Sequence, residues 1–154
     1  MELYPRQYLY LRTVRAKLFI DENFAAHIDL DKIADKACFS KFHFVRLFRS
    51  IYGSTPHQYL TRVRVEKAKE LLAAGATVAY ACYKVGFDSV SSFTGLFKRR
   101  TERTPRQYQI EQLTFKESVA AKPLHHIPGC FADKKGWKKN SNFREVQSVD
   151  ADRP

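Results

Sequence analysis

One stretch of this chain is written twice, and that duplication limits its folds more than any other feature. Residues 44–59 (FVRLFRSIYGSTPHQY) and 93–108 (FTGLFKRRTERTPRQY), 49 positions apart, share seven of 16 residues: Phe44/Phe93, Leu47/Leu96, Phe48/Phe97, Thr55/Thr104, Pro56/Pro105, Gln58/Gln107 and Tyr59/Tyr108. Upstream the offset becomes 48 and pairs Asp29 with Thr77, Leu30 with Val78, Lys36 with Lys84 and Phe39 with Phe87. Self-similarity at a fixed period means one supersecondary unit used twice.

Each copy reads as two short helices around a tight turn. In the first, Asp29 caps a helix over 30–37, whose Leu30, Ile33, Ala34 and Ala37 recur on one face. Ser40 then caps a second helix in which Phe44, Leu47, Phe48 and Ile51 keep that spacing. In the second copy Thr77 is the cap and Val78, Ala81, Cys82 and Val85 form the apolar face. Gly86 supplies a turn residue able to take positive φ. The next helix begins near Asp88 or Ser89 and buries Phe93, Leu96 and Phe97. Two departures sit at the turns: Cys38 stands where the other copy has Gly86, and Glu102 where it has Gly53.

Between the copies, Thr55-Pro56 is a cap followed by proline at the first helical position, and no breaker follows until Gly75. The spacing predicts a connector helix over 56–74, roughly 28 Å long. A preceding helix from about Tyr8 to Phe24 packs Ala16, Phe19, Ile20 and Phe24 on the first unit, and Thr104-Pro105 starts a final short helix. No alternating strand pattern occurs before residue 115. The expected fold is all-α, with about seven helices. Two helix-turn-helix subdomains (8–55 and 76–109) flank the connector 56–74 in one domain, 8–109, and a tail, 110–154, has no assigned role.

The formal net charge is +11, and it is unevenly placed: 19 Lys and Arg stand against 10 Asp and Glu in residues 1–109, and eight against six in 110–154. Such an excess suits a polyanion, either nucleic acid or an anionic membrane surface. No stretch approaches the ~18 apolar residues that span a bilayer, and the amino terminus lacks the apolar core of a signal peptide, so a membrane is not the expected partner. Cys38, Cys82 and Cys130 make no CxxC pair, which speaks for a reducing, cytoplasmic setting. No Gly-rich phosphate loop, His-x-x-x-His or nucleophile elbow occurs. Glu66 has no partnered acid, base or nucleophile, and helix pairs of Glu66 with Arg62 and of Glu70 with Lys67 account for these charges. The expectation is no enzyme, no catalytic residue, no metal and no cofactor. His43 reads as a helix-start residue, and adjacent His125 and His126 do not share a face that suits a metal.

Two helices joined by a short turn, the second capped and amphipathic, describe a helix-turn-helix. The second helix turns Lys41, Phe42, Val45, Arg46 and Arg49 outward in the first copy, and Val90, Ser91, Thr94 and Gly95 in the second. Major-groove faces on one side of B-DNA recur about every 34 Å, a separation that a stiff connector of this length spans within a single chain.

Arg64-Val65-Glu66-Lys67-Ala68, Leu71-Leu72, Val85-Gly86-Phe87-Asp88 with Phe93, Phe97-Lys98, and Thr104-Pro105 with Tyr108 resemble the AraC/XylS-type DNA-binding domain. Ser40-Lys41-Phe42-His43-Phe44 is similar to the same segment of its short MarA/SoxS-like members. The resemblance spans about residues 8–109. It implies a sequence-specific, double-stranded DNA-binding transcription regulator. This would be an activator that works with RNA polymerase, as a monomer on DNA, in the cytoplasm at the nucleoid. It also implies base contacts from Phe42, Val45 and Arg46, and from the matching Val90, Ser91 and Thr94. The chemistry agrees: arginine binds guanine through two hydrogen bonds, and apolar groups meet the thymine methyl. Phosphate contacts are expected from Ser40, Lys41, Arg49, Lys98, Arg99, Arg100, Arg103 and Arg106. Gly95 stands where the first copy has Arg46, so the first unit is expected to carry most base discrimination. Two other classes compete: a protein-interaction modulator of another regulator, and a thiol or metal switch using Cys82 or Cys130 with His125.

Overall fold

The computed structural model describes residues 3–136 except 29, 38 and 39. The expected cap Asp29, the turn positions Cys38 and Phe39, and the aromatic basic segment from Trp137 onward lie outside the described residues. Every described element is helical, and the fold is all-α: α1 (Leu3–Asn23), α2 (Leu30–Ala37), α3 (Lys41–Tyr52), α4 (Pro56–Ala73), α5 (Val78–Lys84), α6 (Val90–Thr101), α7 (Pro105–Ala121), a 3₁₀ turn (Pro123–His126) and α8 (Gly129–Lys134). The chain divides into two compact units, Met1–Ile110 and Glu111–Pro154.

Two expected helices are longer than the sequence spacing suggested. The first begins at Leu3 instead of Tyr8, because Pro5 falls in the first turn, where its missing N–H leaves no hydrogen bond unmade. The last is not short: α7 runs 17 residues to Ala121. Nothing between Arg106 and Lys122 is a glycine or proline, and Pro123 then forbids continuation.

The duplication is visible as a repeated cluster of rings. In the first unit Phe44 and Phe48 lie 5.5 Å apart between centroids, and Tyr59 meets Phe48 edge-on at 5.6 Å. In the second, Phe93 and Phe97 are 5.6 Å apart and Tyr108 meets Phe97 edge-on at 5.7 Å. All four phenylalanines are fully buried, each burial contributing about 1.5–3 kcal/mol. The other shared residues close the next helix. Thr55 and Gln58 bond reciprocally, Gln58 N–H to Thr55 Oγ1 at 3.3 Å and Thr55 N–H to Gln58 Oε1 at 3.0 Å. Thr104 and Gln107 repeat this at 3.2 and 2.9 Å, so five of the seven identities make two ring trios and two capping boxes, and a sixth is the proline that follows each cap residue.

The connector belongs to both cores. Tyr59 and Leu60 complete the first, with Ala16, Ile20, Ile33, Ala34, Phe44 and Phe48. Val65, Ala68 and Leu72 complete the second, with Ala81, Cys82, Val85, Phe93 and Phe97. Phe24 packs against both. Of the two charge pairs expected on the connector, Glu70 with Lys67 forms and Glu66 with Arg62 does not. Lys67 meets Glu70 at 3.0 Å, whereas Glu66 pairs with Lys69 at 2.8 Å. Arg62 instead lies over the Tyr59 ring, 5.1 Å from its centroid.

The turn after α3 and the turn after α6 are the same despite different residues. Gly53 has φ 68°, ψ 2° and Glu102 φ 62°, ψ 4°, each donating its N–H back to the helix, at Arg49 O and Lys98 O. Glutamate holds this left-handed backbone at a cost that glycine does not carry. Glu102→Gly is expected to stabilise the second helix-turn-helix by about 0.5–1 kcal/mol, after allowing for the freer unfolded chain. Thermal denaturation should show a rise of roughly 2–6 °C.

Candidate nucleic-acid interface

Capping fixes where the second helix of each unit, α3 or α6, starts and therefore what it turns outward. Ser89 accepts from the Ser92 N–H at 3.3 Å at the head of α6. Ser40 occupies the matching position of α3 with extended backbone, but its hydroxyl makes no capping bond and is exposed. With Phe44 and Phe48 turned into the core, α3 turns out Lys41, Phe42, Val45, Arg46 and Arg49. Phe42 is 82% exposed, which excludes a core role for its ring. Lys41, Phe42, Val45 and Arg46 line one surface groove. Lys41 also meets Asp31 of α2 at 3.0 Å, a half-exposed pair worth little in water and easily exchanged for another anion. Arg46 and Arg49 are exposed.

On α6 the outward residues are smaller. Ser91 and Gly95 are exposed, Thr94 is half-buried, and Val90 is half-buried against the second core. Lys98, Arg99, Arg100, Arg103 and Arg106 are all exposed. Arg106 donates to Gln109 Oε1 at 2.7 Å, and the buried Gln109 donates to Ala76 O at 2.6 Å, tying the start of α7 to the turn after the connector.

The connector is tied to the end of α1 and to the turn before α6 by a joint that sequence reasoning missed. Arg64, midway along α4, donates from Nε to Phe24 O at 2.7 Å and from Nη2 to Ala26 O at 2.9 Å. Its guanidinium also lies 5.5 Å from the Phe87 ring centroid. Burial pushes its pKa down, with Asp88 opposing. The clamped loop presses on Gly86, whose φ is 89° and where a Cβ would stand 2.6 Å from Ala25 O. One connector side chain thus binds the end of α1 to the turn of the second helix-turn-helix. A second joint links α1 to the connector's start: the Tyr59 hydroxyl donates to Asp21 Oδ1 at 2.8 Å, and Lys17 meets Asp21 at 2.6 Å. The Asp21 bond raises the Lys17 pKa, and burial raises that of Tyr59.

Cys82 is fully buried in the second core, and its thiol pKa is raised mainly by that burial. His126 stacks edge-on against Phe115 at 5.1 Å, with its Nε2 3.1 Å from Ser118 Oγ. No helix among the described residues is long and apolar enough to cross a membrane.

Two helix-turn-helix units on one shared helix, each with its second helix turned outward and flanked by cations, define a nucleic-acid-reading class of fold. A family described as "Helix-turn-helix domain" matches residues 33–110. The chain is 32% identical over 94 residues to an HTH-type transcriptional regulator in the cgkA 5' region of Pseudoalteromonas carrageenovora. That alignment covers 61% of this chain and 56% of the relative, so the chain spans little more than half its length. It is 28% identical over 109 residues to the multiple antibiotic resistance protein MarA of Salmonella typhimurium, covering 70% of this chain and 85% of MarA. Among solved structures it is similar to the DNA-binding domain of AdpA, a global transcriptional factor, in complex with a target DNA. The TM-score is 0.61 at 27% identity, covering 72% of this chain and 96% of that one. The chain belongs to the AraC-type helix-turn-helix family of DNA-binding transcription regulators.

Proposed function

We propose that residues 8–109 read two successive major grooves of one duplex, α3 in the first and α6 in the second. The observation that carries this reading is the duplicated outward face on helices joined by α4, whose 18 residues extend about 27 Å. Phe42, Val45 and Arg46 read bases from the first unit, Arg46 as a two-bond partner of guanine and the other two against thymine methyls. Val90, Ser91 and Thr94 add a weaker readout from the second. Ser40, Lys41, Arg49, Lys98, Arg99, Arg100, Arg103 and Arg106 hold phosphates and set register. The chain acts as a monomer on DNA in the cytoplasm, at the nucleoid, and activates transcription with RNA polymerase as its partner. The MarA and AdpA similarities support a DNA target.

A binding assay on a promoter fragment across a salt series tests the electrostatic half of this reading. If about six to ten phosphates are engaged, affinity falls about 10³- to 10⁵-fold between roughly 50 and 200 mM salt. An affinity indifferent to salt contradicts it.

A further inference from the structure

The two helix-turn-helix units are joined mainly by α4. The helices α2 and α3 pack on α1, on α4 and on each other, and α5 packs on α4 and α6. Neither helix of the first unit packs extensively on a helix of the second. A shared helix fixes how far apart the units stand, but packed helices shift by small slides of one against the other. A second tie, one that does not run along α4, opposes such slides.

The loop after α1 supplies that tie. Phe24 packs against both cores. The Phe24 and Ala26 carbonyls accept from Nε and Nη2 of Arg64 at 2.7 and 2.9 Å, a pair of bonds that a planar guanidinium makes and a lysine ammonium does not reproduce. The Ala25 carbonyl between them lies against Gly86, where a Cβ would stand 2.6 Å away. On the side of the second unit, the guanidinium lies 5.5 Å from the Phe87 ring centroid. It is also attracted by Asp88, the residue before the Ser89 cap of α6. The other end of the tie is fixed too, because α1 is bonded to the start of α4 through Asp21 and Tyr59 at 2.8 Å. Arg64 thus closes a loop of contacts that runs from the first core, through α1, to the head of α6.

Arg64 does this away from the outward faces. It is half-buried, and its guanidinium is already engaged by two carbonyls and a ring inside the protein. The effect of such a tie registers in the spacing between half-sites. One base pair inserted between them moves the second by about 3.4 Å and turns it by about 35° around the duplex axis. Readers held rigidly then lose contacts at one half-site, whereas readers free to tilt follow both.

Resting on the two-groove reading above, we propose that Arg64 is a positioning residue that sets the half-site spacing this protein accepts. It touches neither base nor phosphate and acts by holding α6 at a fixed attitude to α3. The full chain is titrated by fluorescence anisotropy against a selected high-affinity duplex, and against the same duplex with one or two base pairs inserted between the half-sites. The unaltered chain is expected to lose at least about tenfold in affinity on the first insertion. Arg64→Lys keeps the charge and most of the stem but not the two-bond fork, and Arg64→Ala removes both. Each should bind the original duplex several-fold more weakly, yet lose less than about threefold more on insertion, so that the spacing profile flattens. Melting curves set an assay temperature at which the variants are folded, and Arg64→Lys carries the test if Arg64→Ala does not fold.

A residue that only supports the fold lowers affinity by one factor at every spacing, and that result overturns the proposal. So does an unchanged affinity and profile. A salt slope lower by about one in Arg64→Ala than in Arg64→Lys, the mark of a direct phosphate contact, overturns it as well. An unaltered chain indifferent to the insertion refutes the two-groove reading and the proposal with it. A chain that discriminates spacing, with variants that discriminate equally well, refutes the proposal alone.

Discussion

Arg46→Ala is expected to weaken binding to a cognate duplex by about 1–3 kcal/mol, roughly five- to 150-fold, while leaving the fold intact. The side chain is exposed on α3 beside Phe42 and Val45, so its loss opens no cavity and the unfolding free energy should change by no more than a surface substitution does, about 0.5 kcal/mol. The loss should depend on sequence, because a guanidinium that bonds two guanine acceptors discriminates among bases, whereas one on a phosphate does not. The second unit cannot compensate, since Gly95 occupies the matching place and offers no side chain. Gel-shift or anisotropy titrations against cognate and scrambled duplexes measure this. An equal loss on both moves Arg46 to the phosphate-holding group, and no loss on either removes it from the interface.

Gly86→Ala is the largest stability change expected, about 3 kcal/mol or more. The position has φ 89°, which an L side chain adopts only with strain, and the added methyl would meet Ala25 O at 2.6 Å and Arg64 Nη2 at 3.1 Å. A flexible neighbour would move aside cheaply; this one is backbone, flanked by the Phe24 and Ala26 carbonyls that Arg64 holds at 2.7 and 2.9 Å. Relief therefore requires breaking bonds to a half-buried guanidinium, which leaves polar groups poorly matched. Denaturant or thermal unfolding should show a midpoint lower by about 10 °C or more. A fall of under about 1 kcal/mol, the cost of the backbone strain alone, would mean that the 24–26 loop is not clamped as described. The same variant should lose DNA affinity even at temperatures where it stays folded, because the joint sets the second helix-turn-helix against α1.

Much of this was legible because the chain states it twice. Phe44/Phe93, Phe48/Phe97 and Tyr59/Tyr108 have to share an environment if the units share a fold, and the capping boxes at Thr55 and Thr104 mark helix starts by local chemistry alone. Gly86 was readable as a positive-φ turn, and comparison with Gly53 marked Glu102 as the departure whose backbone turned out to follow the glycine. The helix ends were less readable where tolerance decided them, as at Pro5, or where only the absence of a breaker did, as in α7. The joints were not readable. Arg64 reaches carbonyls 38 and 40 residues away, and Tyr59 an aspartate 38 residues away. A bond to a backbone carbonyl leaves no mark on the identity of the residue that supplies it.

The central claim is that one chain sets two readers on one side of a duplex, one helical turn apart. Hydroxyl-radical footprinting of the full chain on a selected high-affinity duplex, with stoichiometry taken from the same titration, tests it directly. The account predicts two protected stretches centred about 10 base pairs apart on the same face of the DNA, with one chain per duplex and with protection at the α3 half-site lost first in Arg46→Ala. A single protected stretch, or a second that appears only when a second chain binds, contradicts it.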